Sequence, residues 1–386
     1  MAGRSGVLDA LIVGGGPAGA ATALALAREG WTVRLVEGSS GAAVRVGETV
    51  PPEVRIPLQE LGLWERFLAQ DHLPSVGNAS VWGGSDLGRR DFAFHPYGPG
   101  WHLDRGRFDA MLTEAAEGAG AELARLARIV DAVRSGDVWR VTVRAADGLA
   151  LWEARALVDA TGRSAALVRK LGGRRRWWDR MVAVLTCFAP GAGTGAPDAE
   201  VLLEAVEDGW WYSAPLPDGS LVTGFFTDAD LCGDLHQDGW LRALARTGPT
   251  RERLRGRLAT GAPVVRSAAT VSSDPFDAPA FLAVGDAALA CDPLSSQGIV
   301  KGMSSGLRAA AALLAERRGR RQALEEERNL FWQGLAEFLG RRASYYGLET
   351  RWPASRFWTR RNPGLLLARR LRENPVDPAE GMSLSA

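Results

Sequence analysis

Gly14, Gly16 and Gly19 follow the apolar run Leu8–Val13 at the spacing Gly-x-Gly-x-x-Gly, with Pro17 and Ala18 between the last two. Glu37 closes a second apolar run, 23 residues after Gly14. These types at this spacing suit one task. The first glycine makes a tight turn, the second lets backbone approach a pyrophosphate, and the third lets a helix close on a strand. The helix start then offers unpaired N–H groups and a positive dipole end to the phosphates. A carboxylate at the end of the second strand can accept hydrogen bonds from both ribose hydroxyls. That favours a dinucleotide without a 2′-phosphate, FAD or NAD.

A second cluster decides between them. Phe281-Leu-Ala-Val-Gly285-Asp286 is an apolar strand ending in Gly-Asp, followed by Asp292-Pro293-Leu294-Ser295-Ser296-Gln297-Gly298-Ile299 and a helix. Asp286 can be aimed at a ribityl or ribose hydroxyl. The helix N-terminus at Gly298 can stabilise negative charge on a reduced ring. Two cofactor segments about 270 residues apart describe an FAD fold better than an NAD dehydrogenase. A third cluster, Asp208-Gly-Trp210-Trp211-Tyr212-Ser-Ala-Pro215, alternates like a strand. Trp210 and Tyr212 then share one face, available as a pocket wall, and Trp211 takes the other.

The elements that position these clusters read as follows. Leu8–Val13, a helix over Ala18–Arg28 and a strand over Trp31–Val36 make a βαβ unit. Further helices are expected over 107–119, Ser164–Leu171, Gly298–Ala315 and Gln322–Leu339, and strands over Val138–Val143 and Leu149–Val158. Residues 181–270 hold short alternating runs between Pro/Gly turns, an antiparallel sheet inserted between the cofactor segments. The expected class is α/β: a Rossmann-like FAD-binding domain with an inserted antiparallel substrate sheet and C-terminal helices. The FAD-binding domain is expected from 1–75, 101–180 and 275–315, and the substrate domain from 76–100 and 181–274. A helical region over 316–372 and a flexible tail over 373–386 complete the chain, and the small-residue loop 189–199 is expected to be mobile.

Composition narrows the function. The 386 residues are 46% hydrophobic and 24% charged, an ordinary globular balance. A net charge of +1 gives no electrostatic reason for a nucleic-acid partner. Three scattered cysteines and four histidines make neither a disulfide framework nor a metal site. Nothing resembles a membrane span, so a cytoplasmic location is expected. The Arg/aromatic segment 341–361 reads as a solvated helix face or a docking surface, and Lys301 as a solvated amine or one that steers anionic flavin or NAD(P)H.

The chain resembles the FAD-dependent monooxygenases of the aromatic-hydroxylase type and their relatives, the flavin-dependent tryptophan halogenases and the geranylgeranyl reductases. The carriers are Gly14-x-Gly16-x-x-Gly19, Arg45-Val-Gly47-Glu48, Asp104-Arg105, Asp159-Ala-Thr-Gly162-Arg163, Gly285-Asp286 and Pro293–Gly298. The resemblance implies that Arg45 and Arg105 lie along FAD and that Asp286 meets its ribityl or pyrophosphate region. It also implies Pro293 near the flavin C4a edge and the Gln297, Gly298 and Ile299 backbone near the pyrimidine end. Thr161-Gly162 stands where aromatic hydroxylases carry the Asp-Gly linked to NAD(P)H. The electron source is therefore open between NAD(P)H and a separate flavin reductase, with O2 as co-substrate.

The Trp210–Pro215 run resembles the halogenase tryptophan motif. Halogenation in that family needs a lysine downstream of Gly47-Glu48-Thr49, and Asn78–Trp82 holds none. Lys170 and Lys301, the only two lysines, lie elsewhere. Hydroxylation through a flavin C4a-hydroperoxide needs no amine, only a dry pocket. The segments Trp210–Pro217, Phe226–Asp230, Asp292–Gly298, Tyr345-Tyr346, Arg351-Trp352-Pro353 and Phe357-Trp358 are similar to one branch. Its members mature cysteine tryptophylquinone in amine dehydrogenases and in lysine and glycine oxidases. The implied activity is hydroxylation of an electron-rich ring, tryptophan foremost, on a tryptophan-bearing peptide or protein partner. Glu48 and His95 are the candidate bases, Trp210 and Tyr212 the substrate wall, and Pro293 and Ser296 the flavin-side groups. The alternatives are a saturase of the geranylgeranyl-reductase type, a halogenase, or a non-catalytic FAD-carrying assembly factor.

Overall fold

Leu8–Val13 forms a strand buried along its whole length, in parallel register with Val33–Glu37 on one side and Gly148–Asp159 on the other. A strand covered on both faces reads as a continuous apolar run, which is why LDALIV carries almost no alternation. The protein is described by a computed structural model over residues 6–38, 48–190, 199–233, 238–274 and 278–362. Arg45, most of the 189–199 loop and the 373–386 tail lie outside the described residues.

The first sheet has seven strands. Glu122–Arg125, Val33–Glu37, Leu8–Val13 and Gly148–Asp159 run in that order, followed by the antiparallel Val138–Ala145 and Arg128–Ser135. Phe281–Ala283 joins in parallel beside the carboxyl end of Gly148–Asp159. The two distant cofactor segments therefore end on neighbouring strands. Ligands bind outside the carboxyl ends of such strands. Helices Pro17–Arg28, Arg105–Gly118 and Gly298–Arg317 cover one face through a core rich in alanine and leucine.

The second sheet also has seven strands, in the order Val264–Ser267, Met181–Phe188, Leu221–Asp228, Gly209–Pro215, Val201–Val206, Gly77–Val81 and Gly88–Asp91. Its pairs are antiparallel except Val201–Val206 with Gly77–Val81. A small antiparallel sheet has Gly100–His102 at its centre, flanked by Thr49–Val50 and Leu73–Ser75.

The C-terminal segment departs from expectation. One helix runs Ala323–Gly347, past the end expected at Leu339 and through Gly340. Anchors at its far end outweigh the poor helix propensity of glycine. Arg342 reaches Asp292 and Asp179 there, and Tyr346 reaches Asp292. Residues 341–361 are not a uniformly solvated face: several of them are core. Tyr346, Phe357 and Trp358 are fully buried against Trp210 and Phe226. Arg361 is buried as well, paired with Asp228. Lys301 is likewise not solvated. Its ammonium lies 4.1 Å from the Phe338 ring centroid and 3.3 Å from Cys291 Sγ, where the long helix covers it. Among the described residues no helix is long and apolar enough to cross a membrane.

Candidate active site

The glycine loop shows three different demands for glycine. Gly14 has φ +111°, and a Cβ there would lie 2.1 Å from the carbonyl oxygen of Ala160. A Cβ on Gly19 would meet the Gly14 carbonyl oxygen at 1.9 Å. Both positions are closed by the protein's own backbone. Gly16 differs: its φ of −71° and ψ of −179° suit any residue, and nothing lies within 4 Å of a Cβ built on it. It opens, with Pro17 and Ala18, onto a cavity of about 410 Å³. That space beside an uncapped helix start is the cradle a pyrophosphate needs. Glu37 ties the loop to the second strand, its Oε2 accepting the Gly15 N–H at 2.8 Å.

Asp159 is buried and shapes the middle motif. Its Oδ1 accepts from Thr161 N at 2.9 Å and Thr161 Oγ1 at 2.6 Å, and its Oδ2 from Val168 N at 2.8 Å. The turn so held presents Ala160, Gly162 and Arg163 to the cavity. Arg163 donates to the carbonyls of Ala269 and Cys291 at 2.7 and 2.9 Å, and its Nε lies 3.5 Å from Asp286 Oδ2. Burial pushes the Asp286 carboxyl up against the opposing pull of Arg163 and Arg105. Arg105, paired with Asp109 at 3.1 Å, lines the same space.

Opposite the loop, Pro293, Ser296, Gly298 and Ile299 face the cavity. Asp292 Oδ1 caps this turn through Leu294 N at 3.0 Å, and Ser296 takes a left-handed φ of +51°. The 20-residue helix that follows has no side-chain cap, so its first amides are open to an anionic ring edge. Gln297 occupies the N-cap position without a capping side-chain bond and does not line the cavity. These groups fit FAD: a pyrophosphate cradle, the Asp286 carboxylate on the lining, and a second helix N-terminus; Glu37 holds the glycine loop and is not itself on the lining.

The remaining wall is aromatic. Ala183, Leu185, Trp210, Tyr212, Val222 and Phe226 share one face of the second sheet. Trp210 stacks on Phe226 with centroids 4.0 Å apart and planes 6° from parallel. Trp211 takes the opposite face and packs on Phe225 and Trp240. Two hydrogen-bond chains fix the wall. The Trp210 indole N–H donates to Tyr346 Oη at 3.0 Å, and that hydroxyl donates to Asp292 Oδ2 at 2.9 Å. Burial, then the Asp292 charge, pushes the Tyr346 hydroxyl well above its ordinary value. Asp292 so ties the wall to the Pro293 turn.

In the second chain, His102 Nε2 lies 3.0 Å from the Ala199 carbonyl, an acceptor only, so that nitrogen carries the proton. Nδ1 then accepts from Thr49 Oγ1 at 3.0 Å, and Thr49 accepts from Tyr212 Oη at 2.7 Å. Burial holds His102 neutral, its pKa lowered to about 4. Burial, then the nearby Glu48 charge, raises the Tyr212 hydroxyl far above its ordinary value. Tyr212 is thus a neutral wall.

Glu48 is buried and lines the cavity beside Thr49. His95 does not line it. It sits 3.5 Å from Glu53 among Phe92 and Tyr97, which removes it as a base acting directly on a bound ring. Sequence reasoning did not single out Thr49, His102, Arg163 or Arg266 as site residues. Arg163 and Thr49 had a signal, their places in the Asp159–Arg163 and Gly47–Thr49 motifs. Among the described residues no metal-ligating cluster exists.

Residues 9–177 match the family model for FAD dependent oxidoreductases. The putative FAD-dependent oxidoreductase LodB of Marinomonas mediterranea is 31% identical over 365 residues, covering 92% of this chain and 96% of that protein. Among solved structures, the myxobacterial chondrochloren halogenase CndH, an FAD-dependent halogenase, superposes with a TM-score of 0.84 at 25% identity over 97% of this chain and 92% of that one. The peptidyl tryptophan dihydroxylase QhpG, essential for tryptophylquinone cofactor biogenesis, superposes with a TM-score of 0.74 at 28% identity over 92% of this chain and 79% of that one.

Proposed function

The chain belongs to the FAD-dependent oxidoreductases, in their halogenase-like branch, and we propose that it hydroxylates a tryptophan side chain carried on a peptide or protein. The observation that carries this reading is the cavity lining. An aromatic face stands across from the Pro293 turn, and no lysine lines the cavity among the described residues. Lys301 is held against Phe338 and Cys291, and Lys170 is exposed. The amine that halogenation calls for is therefore absent from the wall, while a stacking surface for an indole is present. The likeness to a peptidyl tryptophan dihydroxylase supports the same substrate class.

In this reading Gly16, Pro17 and Ala18 receive the pyrophosphate, and Glu37 and Asp286 hold the sugar and ribityl hydroxyls. Arg105 and Arg163 balance the charge. When bound, reduced FAD supplies the electrons that activate O2, drawn from NAD(P)H or a partner flavin reductase. The open amides at Gly298 hold the anionic ring edge. Trp210, Phe226 and Tyr212 exclude water and orient the substrate ring, which raises the effective concentration of the reacting atoms. Glu48 is a buried carboxylate on the lining, near Tyr212 and Thr49, and in this reading it accepts the proton released when the ring rearomatises. Pro293 and Ser296 set the distance between the ring edge and the substrate.

A single-turnover experiment tests this. The bound flavin is photoreduced, oxygen and chloride are added, and free tryptophan is offered beside tryptophan-bearing peptides, with products read by mass spectrometry. The expected product is a peptide that has gained oxygen and no chlorine. Chlorine incorporation, or hydrogen gained by an unsaturated substrate in place of oxygen, overturns the reading.

A further inference from the structure

We propose that the edge strand Val264–Ser267 docks the substrate-bearing segment: an extended, acidic stretch of the partner polypeptide pairs with it as an added strand and presents its aromatic side chain to the cavity. This rests on the peptide-borne reading above.

Among the described residues, Val264–Ser267 is the outermost strand of the aromatic sheet and pairs on one side only, with Met181–Phe188. Edges are ordinarily blunted by charge, proline or a covering segment. Here Val264 and Val265, adjacent and apolar, are 43% and 45% exposed. The direction of the backbone groups follows from the ladder. Ala268 N donates to Met181 O at 3.0 Å, and hydrogen-bonded pairs alternate in an antiparallel ladder. Arg266 opposite Ala183 and Val264 opposite Leu185 thus turn their N–H and C=O inward. Val265 and Ser267 turn theirs outward. Arg266 agrees with this phase, since its guanidinium donates to the outward Val265 carbonyl at 3.1 Å.

The side chains obey the same period. Val264 and Arg266 share a face with Ala183 and Leu185, and that face continues through Phe226, Trp210 and Tyr212. Arg266 and Ser267 line the cavity. A strand added at this edge therefore places every second side chain over the cavity face, about 4.8 Å beyond Arg266. An aromatic side chain spans that width. Main-chain pairing gives affinity, and the pocket reads the alternate side chain.

The charge of the edge selects the partner. Arg266 and the exposed Arg180, which precedes Met181 on the neighbouring strand, have no carboxylate partner among the described residues. Beyond the strand, Trp178 N donates to Thr270 O at 3.0 Å, which places the exposed Trp177 and Trp178 alongside. Arg175 and Arg176 lie over those two rings. A basic, aromatic margin around an open strand edge fits an acidic segment.

The test uses the flavin-loaded protein and a fluorescein-labelled peptide with a central tryptophan and glutamates at both ends. Fluorescence anisotropy reads its Kd, and sister peptides each carry one N-methylated backbone amide. We expect N-methylation to weaken binding about tenfold at every second position and to change it little between. Val265→Pro removes an outward N–H and no ladder bond, so it weakens the peptide about tenfold at unchanged flavin content. Arg266→Glu shifts preference toward a lysine-flanked peptide. An N-methyl series without alternation, or wild-type binding by a folded Val265→Pro, overturns the proposal. So does a dimer of this chain that Val265→Pro abolishes, because the edge then belongs to a second copy. If Val265→Pro does not fold, the N-methyl series on the wild type still decides. A peptide that binds with alternation yet gains no oxygen sinks the hydroxylase reading and leaves the edge. One that gains oxygen without alternation does the reverse.

Discussion

The two halves of the cavity are built from different materials. The nucleotide half is backbone: glycines, uncapped helix starts and a few acids at strand ends. The aromatic half is side chain, locked by hydrogen bonds between segments far apart in the sequence, such as Trp210 to Tyr346 and Tyr212 to Thr49. A backbone-built site fails when a single atom is added. A side-chain-built site fails when a bond partner is removed. The nucleotide half should therefore be sensitive to Cβ atoms, and the aromatic half to lost partners.

The largest effect expected is at Gly14, and Gly16 is its control. Gly14→Ala puts a methyl 2.1 Å from the Ala160 carbonyl oxygen in a left-handed backbone. The expected cost exceeds about 4 kcal/mol, with no soluble flavoprotein recovered. In Gly16→Val the added Cβ has no protein atom within 4 Å, and the backbone there is ordinary. This variant should leave the apoprotein melting curve unchanged and abolish FAD retention. Thermal melts read by circular dichroism, beside flavin absorbance, separate the two. A yellow Gly16→Val protein would remove the cradle argument.

The aromatic half predicts the opposite kind of damage. Arg361 and Asp228 are both buried and paired, with Arg360 as a second, more exposed partner at 2.7 Å. Burial pushes the Asp228 carboxyl up, but its bonds to Arg361 and Arg360 outweigh that and hold it below its usual value. Arg361→Met leaves a buried carboxylate short of a partner, at a cost of about 3–5 kcal/mol. The double variant Arg361→Met, Asp228→Leu should recover most of it, measured by urea unfolding. A single variant as stable as wild type would place the stability of this half in packing alone.

The same contrast explains what the sequence made legible. The glycine loop, its helix and Glu37 lie close together in sequence, and glycine spacing reports them directly. The Asp286 strand and the Gly298 helix start are also local. The Thr49–His102–Tyr212 chain joins three elements that no spacing connects, and the sequence showed a lone histidine. Tyr346 was visible only as part of a resembling segment. Its bond to Asp292 exists because the helix Ala323–Gly347 continues through Gly340, which local propensity argues against. Nothing in the sequence around His95 tells whether it reaches the cavity, and only the fold places it beside Glu53, away from the lining.

The smallest effect tests how tightly the Tyr212 side of the wall is held, through pH. Burial lowers the pKa of His102 to about 4, from 6.5 in the unfolded chain. Between those values the unfolded chain takes up a proton that the folded chain refuses. Stability therefore falls as pH drops below 6.5 and goes on falling until about 4. The His102 share of that loss is about 2 kcal/mol at pH 5 relative to neutral pH. His72, lowered by burial to about 4 as well, adds to the same window. A His102→Gln variant keeps a donor and an acceptor beside Thr49 and the Ala199 carbonyl but does not titrate. It should be somewhat less stable than wild type at neutral pH, and the gap should narrow or reverse by pH 5. Urea midpoints at the two pH values measure this. Parallel loss in both proteins would mean that the imidazole accepts a proton in the folded state. The wall would then be soft enough to let water reach Thr49, and the contrast between a rigid aromatic half and a backbone-built nucleotide half would fail at that point.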